Sequence, residues 1–426
     1  MLFQASLQAQ QRTKAGKEQD RSPKQELMYE DKNYLASIRS VQLHPLGDEG
    51  AFPIIELNTD DQLLLNFDDL RGDFRNFYFS IEYCNVDWQP SRLSPLEYAI
   101  GFNEDRIDNI SPSQSTMQVY THYSLSFPTE YVKPKIAGNY LLKIYEDADK
   151  QRLILTRKFY VYRNLILSDA KMHPSPTVAN RTSHQKLNLI IKSSAISLDN
   201  PQRDVKIIAF QNGRNDYQLY SNTPLSIGPN SLRYDDAKTF DFKGHKEFRY
   251  VDLRSFRLAS NQIHSITQDS LTSIILHTDV DQSTQPYAST NDEDGKFFIL
   301  NMDFEDEPQN TADYANVTFT LKTNQQLKGK IYLVGAFNNF VASQDYELKW
   351  EGRTSLWQLT TKLKQGLYDY DYIFVDENEN VITDQFSNSH FETGNTYQLL
   401  IYHRRVGTYW DELAGFSSIS TSNKHY

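Results

Sequence analysis

The chain has 426 residues, with 44 basic and 55 acidic side chains and a formal charge of −11. That balance disfavours broad contact with a phosphate backbone, which needs clustered Lys and Arg, and the single Cys excludes a disulfide framework or a Cys-based zinc cluster. At ~150 residues per domain the length suggests about three domains, no apolar run approaches the ~18–20 residues of a membrane-spanning helix, and 27 Tyr plus 24 Phe against 17 Gly and 15 Pro lean toward β-structure.

Residues 1–28 read as a signal-peptide remnant followed by a flexible leader. The run Ser6-Leu7-Gln8-Ala9 before Gln10 has the small-residue character of a cleavage site, with the rest of such a signal expected upstream of Met1. From about Tyr34 the hydrophobic period is two. Asn76 to Cys84 sets Phe77, Phe79, Ile81 and Tyr83 on one face. Gln118 to Phe127 sets Val119, Thr121, Tyr123, Leu125 and Phe127 on one face, and Gly138 to Glu146 and Leu153 to Tyr162 continue the alternation. Strict alternation of this kind marks half-buried antiparallel strands, so residues 29–163 are expected to form an N-terminal β-sandwich. After the His173-Pro174-Ser175-Pro176 link, strands over Lys186–Lys192, Asp204–Gln211, Ser273–His277 and Lys296–Asp303 suggest a middle β-sandwich over 164–312. A third unit over 313–412 carries alternation at Val317, Phe319 and Leu321, at Trp357, Leu359 and Leu363, at Tyr368, Tyr370 and Tyr372, and at Tyr397, Leu399 and Ile401. Residues 413–426 read as a tail. The fold expected is all-β, tandem immunoglobulin-like sandwiches with short helices at most.

No catalytic constellation, metal set or cofactor motif emerges. Cys84 ends a strongly patterned strand, where a small buried thiol is the ordinary outcome; His122 is the one partner a pairing strand could bring to it. Asn291-Asp292-Glu293-Asp294-Gly295 stacks carboxylates before a Gly but lacks the spacing of a calcium loop, so a solvated hairpin turn is expected. The informative segment is the insertion at 85–117, far longer than a hairpin loop of ~2–5 residues. It carries Trp88, Leu93, Leu96, Tyr98, Ile100, Phe102, Ile107 and Ile110, too apolar for disorder. Either these groups cap the sandwich, or they anchor a partner beside polar neighbours such as Asn103 and Arg106. The candidate partner-binding residues are therefore Trp88, Leu93, Leu96, Tyr98, Phe102, Asn103, Arg106 and Ile107.

Two resemblances add to this. The order V-G-A-F-N-N-F from Val334 to Phe340, then W-Q-L-T from Trp357, then G-L-Y-D-Y-D-Y from Gly366, resembles early-set immunoglobulin-like domains that include glycogen-binding modules. It implies a second reading, a periplasmic or cell-surface glycan-binding protein acting through Phe337, Asn339 and Phe340. More densely, Phe67-Asp68-Asp69-Leu70, Cys84-Asn85-Val86-Asp87-Trp88, Glu97-Tyr98, Gly101-Phe102-Asn103 and Tyr120-Thr121-His122-Tyr123 resemble the plug protein family of the type IX secretion system. That resemblance implies a non-enzymatic periplasmic protein peripheral to the outer membrane. It would bind a large outer-membrane translocon β-barrel and close the periplasmic end of its pore when no substrate is engaged.

Overall fold

The computed structural model describes residues 21–304, 307–323 and 327–421. The signal-peptide remnant lies outside them. The leader does not stay free over its described part: Ser22 is buried, its amide donates to the Glu146 carboxylate (2.6 Å) and its carbonyl accepts from Arg152 (2.7 Å).

The first sandwich follows from the alternation. One sheet runs Lys32–Asn33, Leu153–Tyr162, Gly138–Glu146, Phe77–Cys84, Asp105–Arg106, with Ile54–Glu56 added parallel to Leu153–Tyr162. The facing sheet runs Ile38–Pro45, Leu63–Asp69, Thr121–Phe127, Asn109–Pro112. Phe77, Phe79, Ile81 and Tyr83 meet Leu63, Leu65, Phe67, Tyr123 and Phe127 in one core. The Phe67 and Tyr123 rings stack at 5.1 Å across two neighbouring strands. Because side chains alternate, Tyr160 points the opposite way from Phe159 and Val161. With Ile54 it leaves the first core and packs on Ile208, Phe210, Leu400 and Tyr402 of the middle sandwich.

The middle sandwich is discontinuous in sequence. One sheet is Leu167–Pro174, His184–Lys192, Ser231–Tyr234, Ser226–Gly228, with Asp241–Lys243 also on His184–Lys192. The other is Gln218–Ser221, Val205–Gln211, Thr396–His403, Glu412–Ser420. Tyr397, Leu399 and Ile401, expected in the third unit, thus line the middle core with Val205, Ile207 and Leu232, and the expected tail supplies the strand Glu412–Ser420. The converse correction holds for Arg249–Asp252, Thr272–Leu276 and Phe297–Ile299, read with the middle unit but built into the third.

Between residues 247 and 394 the chain forms that third unit, one eleven-stranded sheet curled on a core of Val317, Phe319, Ile331, Leu333, Trp357 and Tyr372. Entry and exit run side by side. The amide of His390 donates to the His245 carbonyl (2.9 Å), and the amide of Gly394 to the Glu247 carboxylate (3.2 Å). Gly244 permits this crossing, since a Cβ there would stand 1.9 Å from the His390 carbonyl oxygen. Period-two patterning reports that a segment is a strand and which face is apolar. It carries no information on which sheet the strand joins, and tandem order was the assumption that failed.

The third unit is also pinned to the first. Asp68 is fully buried and receives Lys364 Nζ (2.6 Å), the Tyr314 hydroxyl (2.6 Å) and His122 Nδ1 (2.7 Å). Burial alone would raise the Asp68 carboxyl; Lys364 and His122 bring it below the usual value. Burial likewise draws the Lys364 ammonium down and the Asp68 charge opposes it, and three converging donors keep the pair ionised.

Candidate partner interface

The insertion wraps one edge of the first sandwich. It opens in a tight turn, where the Trp88 amide donates to the Asn85 carbonyl (3.0 Å) with Trp88 at φ 60°. Ser94 then starts the single turn Pro95–Tyr98, its amide donating to the Glu97 carboxylate (2.7 Å). Ala99–Gly101 pairs antiparallel with Val132–Pro134. Gly101 sits at φ 95°, and a Cβ there would lie 2.1 Å from the Tyr131 carbonyl oxygen, so this close ribbon requires glycine. Asp105–Arg106 closes the edge of one sheet and Asn109–Pro112 the edge of the other. Beyond it, the amides of Met117 and Gln118 donate to the Asp313 carboxylate at 2.7 and 3.1 Å, tying the end of the insertion to the third unit.

This path divides the eight candidate residues. Leu93, Tyr98 and Ile107 are buried in the first core, the Tyr98 carbonyl accepting from the Tyr140 hydroxyl (2.9 Å). Trp88 is half-buried against Tyr160 (5.4 Å between ring centres) under Lys158 Nζ (4.6 Å), at the seam with the middle sandwich. Leu96 and Phe102 stand out at 79 % and 65 % exposure, and Asn103 and Arg106 are exposed beside them in sequence, Arg106 paired with Asp108 (2.6 Å). Phe102 stacks on Tyr131 at 5.7 Å, and Ile100 and Tyr131 are themselves about half exposed, 43 % and 50 %. The exposed apolar side chains here are thus Leu96, Ile100 and the stacked pair Phe102 and Tyr131, called the ridge below. Tyr131 was missed because it lies outside the insertion, and only the pairing of Ala99–Gly101 with Val132–Pro134 brings it there. Capping and display, alternatives at the level of the sequence, are both present, in different residues of one segment.

The other candidates resolve as packing. Cys84 is buried, and burial pushes its thiol up to about 12. His122 lies in the facing sheet, on a strand paired with Leu63–Asp69, so the two do not share a ladder. The acidic turn is not solvated: Asp292 and Asp294 are buried, Asp292 accepting from the Phe248 amide (2.6 Å) and Asp294 from the Thr396 hydroxyl (2.8 Å). Among the described residues no group of three or more His, Cys, Asp or Glu side chains could hold a metal ion. The residues expected as a glycan platform divide: Asn339 and Phe340 line a cavity of about 520 Å³ where the units meet, and all three are half-buried. Phe337 packs on Tyr346 and Tyr368, Asn339 donates to the Asp31 carbonyl (3.3 Å), and Phe340 lies under the Arg214 guanidinium (4.0 Å). The loop is drawn into the seams between units, which the motif alone could not reveal.

Fold and surface together define an all-β protein of packed sandwiches, the first of which carries exposed apolar side chains on its insertion. Residues 38–163 match the family model described as type 9 secretion system plug protein 1st domain, which supports the plug family of that secretion system for this part of the chain. A crystal structure of a hypothetical protein from Parabacteroides merdae ATCC 43184 is similar over 93% of this chain and 100% of its own, at 28% identity and a TM-score of 0.88. A cryo-EM reconstruction of E. coli alpha-2-macroglobulin aligns at 8% identity over 93% of this chain and 23% of its own, but its TM-score of 0.18 carries no argument. No curated protein matches the chain. Among the described residues no helix is long and apolar enough to cross a membrane.

Proposed function

We propose that the protein is the plug subunit of a type IX secretion system, held in the periplasm at the outer membrane, where it binds the translocon barrel and closes the periplasmic end of its pore when no substrate is engaged. The observation that carries this reading is the family match over residues 38–163, the sandwich that bears the exposed ridge. A stopper needs bulk, rigidity and a reversible grip, and no chemistry. Rigidity is supported by the apolar seam around Tyr160 and by the buried Asp68–Lys364 contact. The grip is assigned to Leu96, Ile100, Phe102 and Tyr131, at the centre of a patch that would bury on the order of 800 Å² per partner. Polar neighbours such as Asn103 and Arg106 would leave a wet rim that an arriving substrate complex can displace.

The test is co-purification of the tagged protein with outer-membrane extracts, together with single-channel conductance of the recovered barrel. The wild-type protein should retain a large barrel and silence its conductance. The pair Leu96→Ser and Phe102→Ser should weaken retention by about tenfold or more, the size expected for exposed aromatic and aliphatic anchors, with circular dichroism unchanged. Recovery of no barrel by the wild-type protein would sink the reading; retention by the double variant would move the grip elsewhere.

A further inference from the structure

A second surface lies on the other side of the Asn85–Arg92 turn. There a cavity of about 940 Å³ opens between the first and middle sandwiches, lined among others by Trp88, Arg92, Lys206, Tyr220, Arg404 and Tyr409. One long side is the strand Gln218–Ser221, the last strand of its sheet, with no further strand beyond it among the described residues. The Gln211 amide donates to the Tyr217 carbonyl (2.9 Å), so that pair is hydrogen-bonded across the ladder. Alternation along an antiparallel ladder then makes Ala209–Leu219 and Ile207–Ser221 the next such pairs. Gln218 and Tyr220 therefore turn their N–H and C=O groups outward, as a template for another strand. Tyr220 lies opposite Ile208 and shares its face, the one turned toward the first sandwich, so its side chain lines the cavity beside this open edge.

The charge of the cavity differs from that of the molecule. In a chain of net −11, its lining holds Arg92, Lys206 and Arg404 against Asp87 and Asp411. Lys206 and Arg404 both pair with the single Asp411 carboxylate, each at 2.8 Å. Arg92 is exposed and in no ion pair among the described residues. Burial and the Asp411 charge hold the Tyr220 phenol above its ordinary value, placing these two groups close together. Tyr220 and Tyr409 are each 54% exposed, and they offer flat apolar walls.

We infer that this groove takes an extended acidic segment of another polypeptide, which adds as a strand to Gln218–Ser221 while its carboxylates meet Arg92, Lys206 and Arg404. Main-chain hydrogen bonds to the edge supply affinity, and the basic and aromatic lining selects the side chains on the inward face. The inference uses residues apart from the ridge and stands whether or not the ridge grips a barrel.

The test uses the full-length protein and a fluorescein-labelled octapeptide alternating Glu and Val, with a Lys and Val counterpart, read by fluorescence anisotropy. The Glu peptide should bind saturably and the Lys peptide should not. Tyr220→Pro removes an outward-facing donor on an edge strand, where proline is tolerated, together with one aromatic wall; it should abolish binding with the melting temperature retained, whereas Tyr220→Ala, which keeps the donor, should only weaken it. Arg92→Glu, on an exposed turn, should weaken binding by about tenfold. No binding of the Glu peptide up to about millimolar, or equal binding of the Lys peptide, would overturn the proposal. So would wild-type affinity in Tyr220→Pro, or in Arg92→Glu if the proline variant fails to fold. A concentration-dependent dimer in sedimentation, lost in Tyr220→Pro, would assign the edge to a second copy of this chain and also overturn it.

Discussion

Asp369 lies on the strand Gly366–Asp376 with its carboxylate turned onto the Asp292–Gly295 turn, where it accepts from the amides of Glu293 and Gly295 (2.5 and 3.1 Å). Burial, and then the nearby Asp292 charge, lift it from the usual 3.8 to about 8. The folded state therefore holds a proton there that the unfolded chain has released, and the sign follows. Stability from this group is complete below pH 3.8 and is lost as pH rises through about 8. Asp369→Asn keeps an acceptor oxygen for both amides and cannot ionise. Relative to the wild-type protein its melting temperature should rise progressively as pH goes from 3.8 to about 8, with the smallest difference below pH 3.8 and the largest above pH 8, and calorimetry at about pH 3.5 and about 8.5 as the check. His245 acts in the opposite direction: burial and then the Arg214 charge lower it to about 3, so the fold loses stability on acidification below its usual 6.5. Neither shift was legible in the sequence. Asp292-Glu293-Asp294 looks like a solvated turn by composition, and only the strand 76 residues on, bringing Asp369 beneath it, makes it a buried joint.

At the scale of the element, the insertion shows how one segment can be both core and surface. Its apolar residues have no single period, because it changes from tight turn to helical turn to ribbon to two edge strands over thirty-three residues. The choice between cap and anchor therefore had to be made residue by residue, by the pairing partner of each piece. Ile107, between the two edge strands, is 1% exposed, while Leu96 is 79% exposed. Ile107→Ala should destabilise the protein by about 2–5 kcal/mol, the cost of a lost buried side chain and the cavity it leaves. Leu96→Ala should stay within about 0.5 kcal/mol. Chemical denaturation with a common slope checks both, and equal losses would mean that the insertion is packed as a unit.

For the whole molecule, the consequence of the discontinuous middle sandwich is mechanical and thermodynamic. Its core needs Thr396–His403 and Glu412–Ser420, which arrive only after the entire third unit has been made. A chain ending at residue 394 keeps the third unit complete and loses half of one middle sheet. It should fail to give a native middle sandwich, exposing Val205, Ile207 and Ala209, and should bind a hydrophobic dye and melt without cooperativity. A tandem arrangement would instead leave the first two units intact after such a truncation, so near-native melting would contradict the pairing described here. The same closure makes the molecule a single block. The Tyr160 seam joins first to middle, Asp68–Lys364 joins first to third, and Arg214 between Tyr217 and Phe340 joins middle to third. Such a block suits the proposed plug role, which calls for resistance to deformation.

The amino-acid sequence by itself determined the all-β class, most strand positions and their apolar faces, because a period of two is a local property set by the backbone. It also carried the resemblance to the plug family, through motifs between Phe67 and Tyr123, within the residues 38–163 that match the family model. Tertiary structure decided what is non-local: that Tyr397, Leu399 and Ile401 return to the middle sandwich, and that Phe340 meets the Arg214 guanidinium of that sandwich. It likewise decided that Leu96, Ile100, Phe102 and Met117 of the insertion's apolar groups stand clear, with Tyr131 stacked on Phe102, and that the edge Gln218–Ser221 is left open beside a basic groove. Local sequence states which face of a strand is apolar. Which neighbour covers that face depends on contacts hundreds of residues apart, and exposure is what remains when those contacts have been made.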